Sequence, residues 1–152
     1  MAGYSAKPLV EKLGTKPGAT VFLLNAPPEI VGAIGDLPAD ARFVTRTPKG
    51  ADVVIAAVTS LTALGAAIGK AKRAVSPDGG LWVCWPKKSS GVAADVDENA
   101  VRDAGLAAGL VDNKECAVTD VWSGLRLVLR VEGRPTARQR ASAGRRAGSK
   151  TR

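Results

Sequence analysis

The sequence predicts an α/β fold in which a mainly parallel sheet of about six strands carries helices on both faces. Two apolar segments, residues 20–25 and 52–58, are typical of strands that are buried on both faces. Segments whose apolar residues recur at helical spacing follow these strands. Residues able to cap a helix precede the helical segments. Strands separated by helices favour right-handed crossovers and parallel pairing. The pattern therefore indicates a Rossmann-like, three-layer α/β/α architecture.

The first half of the chain predicts five elements. In order, they are a helix over 5–13, a strand over Thr20–Asn25, a helix over Pro27–Gly35, a short strand over Arg42–Arg46 and a strand over Asp52–Val58. Ser5 is the expected cap of the first helix, whose first turn tolerates Pro8 and which ends at Gly14. Asp52 begins its strand, so we expect it at the amino edge of the sheet as a turn or strand-edge carboxylate.

The second half predicts two longer helices and three strands. The elements are a helix over 61–75 capped by Ser60, a turn at Pro77–Gly80, a strand over Leu81–Trp85, a helix over 97–108 capped by Asp95 or Asp97, and strands over Glu115–Asp120 and Leu125–Val131. Trp122-Ser123-Gly124 separates the last two strands. Leucines and arginines alternate with a period of two in the final strand, which favours an antiparallel partner. A C-terminal hairpin should therefore close the sheet.

Composition excludes several functional classes. The 152 residues contain no histidine, which removes histidine-based triads and histidine-ligated zinc or haem. Two cysteines, Cys84 and Cys116, are too few for a disulfide scaffold, and we expect buried, unreactive thiols in strands. No segment is long and apolar enough to span a membrane, and no secretion signal begins the chain. We therefore expect a cytoplasmic protein with no metal and no identifiable catalytic residue.

Positive charge is concentrated at the C-terminus. The net charge of the chain is +8, and residues 132–152 carry seven basic side chains against Glu132. The basic residues are Arg134, Arg138, Arg140, Arg145, Arg146, Lys150 and Arg152. Residues 133–152 contain no large apolar side chain, so they cannot bury enough surface to offset the entropy of ordering. The sequence thus predicts a folded domain over 1–131 and a disordered basic tail over 132–152.

Several segments resemble class I S-adenosylmethionine-dependent methyltransferases. Residues 51–55, the following helix and residues 76–83 resemble the fourth strand, fourth helix and fifth strand of that fold. Residues 16–21 are similar to the segment that leads into its first strand, and residues 108–110 with the final hairpin resemble its last helix and closing hairpin. Only one strand fits between the first strand and Asp52. The resemblance implies a reduced methyltransferase fold that lacks one strand–helix unit.

Three longer segments resemble a family of short bacterial, chiefly actinobacterial, proteins of unknown function. They are YSAKPLVEKLG near the N-terminus, GGLWVCWPKKSSG in the middle of the chain and AGLVDNKECAVTDVWSGLRLV near the end of the domain. This resemblance is closer than the one to methyltransferases, but it implies no activity.

The residues that hold the methyltransferase cofactor are replaced in this chain. The resemblance implies a glycine-rich turn after the first strand and an acidic residue after the second, which binds the ribose hydroxyls. Here Asn25-Ala26-Pro27-Pro28 follows the first strand, and two prolines fix φ and remove two N–H donors. Arg46 and Thr47 follow the next strand. We therefore expect no S-adenosylmethionine and no other cofactor.

Polar residues at the ends of the parallel strands form a candidate crevice, because ligands of open α/β sheets bind outside the carboxyl ends of strands. The candidate ligand-binding residues are Asn25, Thr59, Ser60, Trp85, Lys87, Lys88 and Ser89. Ammonium and hydroxyl groups would suit a phosphate or carboxylate, and Trp85 would stack on a ligand. Each has a structural alternative: Asn25 caps a turn, Thr59 and Ser60 cap a helix, Trp85 belongs to the core, and residues 86–91 form a solvated loop.

The sequence supports three functional hypotheses. The first is a non-catalytic binding or regulatory protein whose crevice holds a small anionic molecule. The second is a nucleic-acid-associated protein acting through the basic tail, for which the alternative is a tail that only increases solubility. The third is an active methyltransferase. Ligand identity and oligomeric state have no signature in the sequence.

If the tail contacts phosphates, binding to duplex DNA will fall steeply with salt. We expect a log–log slope of about −0.9 for each phosphate contacted, because each contact releases counterions. Titrations of DNA at several salt concentrations should therefore give a slope of several units for the full chain and no binding after deletion of residues 133–152. Binding that survives the deletion with the same slope would contradict the tail hypothesis.

Overall fold

The computed structural model describes residues 7–130 and shows four α-helices, one 3-10 helix and six strands in that range. The helices are α1 (Leu9–Lys12), α2 (Pro28–Ile34), α3 (Leu61–Ala74) and α4 (Glu98–Ala107), and a 3-10 helix covers Lys88–Ser90. The strands are β1 (Thr20–Leu24), β2 (Arg42–Val44), β3 (Ala51–Ala57), β4 (Val75–Pro86), β5 (Leu110–Ala117) and β6 (Trp122–Leu129). The predicted tail, residues 132–152, lies outside the described residues.

One sheet contains all six strands in the order β2-β1-β3-β4-β6-β5. Strands β2, β1, β3 and β4 are parallel, whereas β6 pairs antiparallel with both β4 and β5. The predicted class is therefore confirmed: a Rossmann-like sheet is closed by an antiparallel hairpin. Among the described strands the sheet ends at β2, as expected if one strand–helix unit is missing from the methyltransferase arrangement.

Two hydrophobic clusters lie on opposite faces of the sheet. On one face α3 and α4 pack against side chains such as Phe22, Val54 and Leu81. On the other face α1 and α2 pack against a cluster that includes Trp82 and Cys84. Helices thus cover both faces, and the apolar character of the central strands follows from burial on both sides.

The capping residues predicted for the two longer helices are confirmed. Ser60 Oγ accepts a hydrogen bond from the Ala63 N–H at 3.1 Å, and Asp97 Oδ1 accepts one from the Ala100 N–H at 2.9 Å. Each cap satisfies a backbone donor that has no partner within its helix. The first helix differs, since α1 begins at Leu9 with Pro8 as the preceding cap residue. Ser5, its predicted cap, lies outside the described residues.

The prediction of a turn at Pro77–Gly80 is wrong. Strand β4 begins at Val75, and its pairing with β3 shifts from Ala51–Val75 to Val53–Gly80. Three additional residues on β4 are therefore accommodated as a bulge while the strand keeps its direction. The local composition is typical of turns, but pairing with β3 determines the conformation.

The predicted boundaries of the smaller strands also need correction. Strand β2 ends at Val44 rather than Arg46. Strand β5 covers Leu110–Ala117 rather than Glu115–Asp120, because Gly109 ends α4 and the chain enters the sheet at once. Strand β6 begins at Trp122, so Trp122-Ser123-Gly124 belongs to the strand rather than to the connection. The connection is residues 118–121, held by hydrogen bonds from the Val118 and Thr119 N–H groups to the Trp122 carbonyl.

Gly79 of β4 lies directly against the backbone of β3. A Cβ atom at this position would lie 2.8 Å from the carbonyl oxygens of Ala51 and Asp52, which are backbone atoms that cannot rotate away. We expect Gly79→Ala to lower the free energy of unfolding by about 1–3 kcal/mol through overpacking. Urea denaturation measures this change.

Gly65→Ala is the matched control for that substitution. Gly65 lies on the exposed face of α3, and nothing lies within 4 Å of its Cβ position. Because alanine favours helices, we expect the free energy of unfolding to stay the same or to rise by up to about 1 kcal/mol. A Gly79→Ala protein as stable as the wild type would contradict the close approach of β3 and β4.

Candidate functional site

The carboxyl edge of the sheet has a switch point between β1 and β3. The chain leaves β1 towards α2 on one face, and it leaves β3 towards α3 on the other. In open α/β sheets, ligands bind outside the strand ends at such a point. Asn25 follows β1 and Thr59 lies two residues after β3, and both are exposed. Asn25 has a φ of 59°, a left-handed conformation that asparagine tolerates better than most residues.

Ser60 and the backbone of Thr59 stabilise the start of α3. Besides the Ser60 cap, Asp95 Oδ1 accepts a hydrogen bond from the Leu61 N–H at 2.9 Å. The Asp95 N–H in turn donates to the Thr59 carbonyl at 3.1 Å. Protein groups therefore already satisfy these N–H donors of the helix. Ser60 caps the helix, which is the structural alternative to a ligand-binding role. The side chain of Thr59 stays exposed at the crevice.

The loop after β4 presents Lys88 and Ser89 to solvent. The Lys87 N–H donates to the Val121 carbonyl at 2.7 Å, which ties the loop to the β5–β6 connection. Ser90 Oγ donates to the Lys87 carbonyl at 2.7 Å and accepts from the Val92 N–H at 3.1 Å. Ser90 thus holds the loop, while Lys88 and Ser89 are exposed and Lys87 is half-buried.

Lys88 lines a cavity of about 240 Å³ beside this loop. Asp95 and Asp97 line the same cavity, and each of their carboxylates accepts a hydrogen bond from the first turn of a helix. Those helix termini offset part of the negative charge. Lys88 is the one predicted ligand-binding residue that lines this cavity.

Trp85 lies in the core and not in the crevice. It is 6% exposed and belongs to the cluster on the α3–α4 face of the sheet. A ligand therefore has no exposed face of the ring on which to stack. Trp85 is a core residue, which is the structural alternative to a ligand-binding role.

Trp122 and Glu29 form a contact that sequence reasoning missed. The Trp122 indole N–H donates to Glu29 Oε2 at 3.0 Å, which joins the start of β6 to the first turn of α2. Strands β3 and β4 lie between β1 and β6, so this bond passes over their carboxyl ends on the α2 face. The two residues are 93 positions apart, and no local pattern links them.

Two prolines begin α2 beside this contact. Pro27 is the cap residue of the helix, without a side-chain hydrogen bond, and Pro28 is its first residue. Neither proline has an N–H group to donate to a ligand. Trp122, which is 7% exposed, belongs to the hydrophobic cluster on the α2 face of the sheet.

The two thiols have little nucleophilic character. Burial, with a smaller contribution from the charge of Cys116, raises the pKa of Cys84 well above its ordinary value. Partial burial also raises the pKa of Cys116, although Lys12 and Lys114 oppose the shift. A thiolate is the reactive form, so neither cysteine suits covalent catalysis at neutral pH. Among residues 7–130, no group of three cysteine, aspartate or glutamate residues is placed to hold a metal ion.

No helix in the described part of the chain has both the length and the apolar character needed to cross a membrane.

The sheet order, the two helical layers and the closing hairpin define a methyltransferase-like Rossmann fold, and solved structures share it. A methyltransferase dependent on S-adenosylmethionine from Aquifex aeolicus matches with a TM-score of 0.54 and 14% identity, over 78% of this chain and 86% of that one. The magnesium protoporphyrin IX methyltransferase from Synechocystis matches with a TM-score of 0.55 and 14% identity, over 80% of each chain. At this identity the similarity establishes the fold alone.

The chain belongs to the family described as protein of unknown function (DUF3052), whose model matches residues 33–131. This assignment agrees with the resemblance to a family without known activity. No functionally curated protein was found to match the chain.

The prolines after β1 predict that S-adenosylmethionine does not bind. The resemblance to methyltransferases implies a glycine-rich turn there, and Pro27 and Pro28 have no N–H to donate. We expect no saturable heat in calorimetry with ligand close to about 1 mM, whereas a binding-competent methyltransferase of the same fold gives a normal isotherm. Saturable binding at micromolar concentration would contradict this prediction and restore the methyltransferase hypothesis.

Proposed function

We propose that this protein is a non-catalytic binding or regulatory protein and that a small anionic molecule occupies its carboxyl-edge crevice. The observation that carries the proposal is the replacement of the cofactor turn by Pro27 and Pro28, with the Trp122–Glu29 contact above the strand ends. The methyltransferase-like fold is retained, and prolines stand at the turn where the resemblance implies glycines that hold the cofactor. Binding without methyl transfer fits both observations.

The chemistry of the edge supports a role without catalysis. The sequence has no histidine to act as a base. Cys84 is buried with a raised pKa, and the hydroxyls of Ser60 and Ser90 are used in holding a helix and a loop. A hydroxyl already committed to the backbone, with no neighbouring imidazole, is a poor nucleophile.

The lysines after β4 support an anionic ligand. Lys88 and Ser89 are exposed on a loop that Ser90 and the Lys87–Val121 hydrogen bond hold in place. Asn25 and Thr59 lie at the ends of the two strands next in the sheet, so their side chains would add hydrogen bonds from the switch point. Ammonium groups with neighbouring hydroxyl and amide groups suit a phosphate or a carboxylate.

The proposal predicts that removing the two lysines weakens binding of a small anion. Inorganic phosphate, nucleotides and phosphorylated metabolites would be titrated in calorimetry against the wild type and against Lys87→Ala/Lys88→Ala. We expect the double variant to weaken the best ligand by at least about tenfold, because each lost contact is a hydrogen bond to a charged group.

Lys49→Ala/Lys70→Ala is the matched control. It removes the same net charge from two exposed lysines outside the loop after β4, one before β3 and one on α3, so affinity for the anion should stay unchanged. Equal loss in both double variants would mean that net charge alone attracts the ligand. An anion that binds equally well to all three proteins would overturn the assignment to the crevice.

A nucleic-acid-associated function through the tail is a second candidate, and the charge distribution favours it. Residues 132–152 carry seven basic side chains against a single acidic one. The two candidates separate experimentally, since deletion of the tail would abolish nucleic-acid binding and leave the binding of a small anion intact.

A further inference from the structure

Positive side chains gather where α3 ends, at the amino edge of the sheet. Lys70 and Arg73 are exposed and lie three residues apart on α3, so they are neighbours on its surface. Arg73 Nη1 lies 3.8 Å from the Cβ position of Gly69, which places the guanidinium along the turn that carries Lys70. Neither side chain forms a hydrogen bond or an ion pair with residues 7–130. Both charges are therefore uncompensated within the described part of the chain.

Two further cations are fixed beside them at the end of α4. Lys72 Nζ donates a hydrogen bond to the Ala108 carbonyl, and Arg130 Nη2 donates one to the Leu106 carbonyl at 3.1 Å. Both acceptors are uncharged, so these bonds hold the side chains without pairing them with an anion. An ammonium group has three donors and a guanidinium has five, so most of their donors stay available to a ligand.

The chain leaves the folded domain at the same place. Leu129 of β6 pairs with Leu110, the first residue of β5, and the Arg130 N–H donates to the Gly109 carbonyl at 3.4 Å. Residues 132–152, with seven basic side chains against one acidic, therefore begin two residues after Arg130. The sequence of the tail thus continues the positive charge of this surface.

We define the basic patch as Lys70, Lys72, Arg73 and Arg130. Its surroundings favour a phosphate backbone as partner. The two helical segments that carry or adjoin it, residues 61–74 and 98–110, contain no aromatic residue, so bases have no ring on which to stack. Helix α3 contains no acidic residue that would repel phosphates.

A membrane surface fits the basic patch less well than a duplex. Among the described residues, Leu106 is the one large apolar side chain exposed at this end of α3 and α4. A helix that lies on a membrane presents a whole apolar face to the lipid. Binding to the backbone of a duplex needs cations that neutralise phosphates and no apolar face.

We propose that the basic patch binds the phosphate backbone of duplex nucleic acid together with the tail and without regard to base sequence. The proposal rests on the nucleic-acid candidate above and adds to it a fixed surface of the folded domain. The tail supplies most of the contacts, and the patch determines which side of the domain faces the duplex. The carboxyl-edge crevice lies at the opposite ends of the parallel strands, so a small anion there would not compete.

The test measures binding of duplex DNA by fluorescence anisotropy at several salt concentrations, for the full chain and for Lys70→Ala/Arg73→Ala. Each phosphate contact contributes about −0.9 to the log–log slope, so we expect the double variant to reduce the slope by about two. Affinity should fall by the same factor for unrelated duplex sequences. Lys70→Arg/Arg73→Lys keeps both charges and should retain the wild-type slope. Urea denaturation should show that both variants fold, since neither side chain has a partner within the described residues.

Lys16→Ala/Arg42→Ala is the matched control. It also removes one exposed lysine and one exposed arginine, at the segment before β1 and at the start of β2. These strands lie at the other end of the sheet from β6 and β5, so the slope should stay at the wild-type value. An equal reduction in both double variants would overturn the patch, because net charge alone would then explain the effect.

The remaining outcomes separate the patch from the tail. A slope unchanged in Lys70→Ala/Arg73→Ala, with binding lost on deletion of residues 133–152, would overturn the patch and leave the tail candidate standing. No binding of duplex DNA by the full chain would overturn both. Vesicles of phosphatidylserine bound more tightly than duplex DNA would overturn the proposal by making a lipid surface the partner.

Discussion

The rest of the structure depends on the burial of β4 from Gly79 to Pro86. Residues 79–86 are all buried, with β3 parallel on one side and β6 antiparallel on the other. Trp82 and Trp85 point to opposite faces, so each helical layer packs against one large ring of the same strand. Burial of such side chains stabilises by about 1.5–3 kcal/mol each. The Trp82 indole N–H also donates to the Leu13 carbonyl at 3.1 Å, which anchors the end of α1 to the sheet.

Where β4 has no room for side chains, glycine takes their place. Gly79 lies against the backbone of β3, and Gly80 lies under Arg126. Such a strand must meet two requirements. Its middle must fill the core with side chains, and its beginning must leave space for neighbouring groups. The sequence Gly-Gly-Leu-Trp-Val-Cys-Trp meets both requirements, with the glycines first and the apolar side chains after them.

Features with a local cause were predictable from the sequence. Burial on both faces makes residues 53–57 of β3 continuously apolar, and the caps Ser60 and Asp97 act on N–H groups only three residues away. Strand β5 was harder to recognise because it lies at the edge of the sheet, where Asp112 and Lys114 interrupt the apolar pattern. The composition of Pro77–Gly79 is that of a turn, and only the register with β3 distinguishes this bulge from a turn.

The candidate site also contains features that the sequence predicts and features that it does not. Asn25, Thr59 and the lysines after β4 each follow a parallel strand. The sequence therefore predicted that they lie at one edge of the sheet, because parallel strands bring their carboxyl ends together. The sequence left open whether Trp85 lies in the crevice or in the core, and it contained no sign that Trp122 reaches Glu29. Both depend on which face a side chain points to and on what packs there, and those are properties of the assembled sheet.

The short β2 has a consequence for association between molecules. In the described part of the chain it forms one border of the sheet, where the related fold would add another strand. An unpaired border is a template for strand addition and aggregation. Here that template is three residues long and begins with exposed Arg42, while the opposite border, β5, carries Asp112, Lys114 and Glu115. The reduced sheet thus offers an incoming strand few hydrogen bonds on one side and charged side chains on the other.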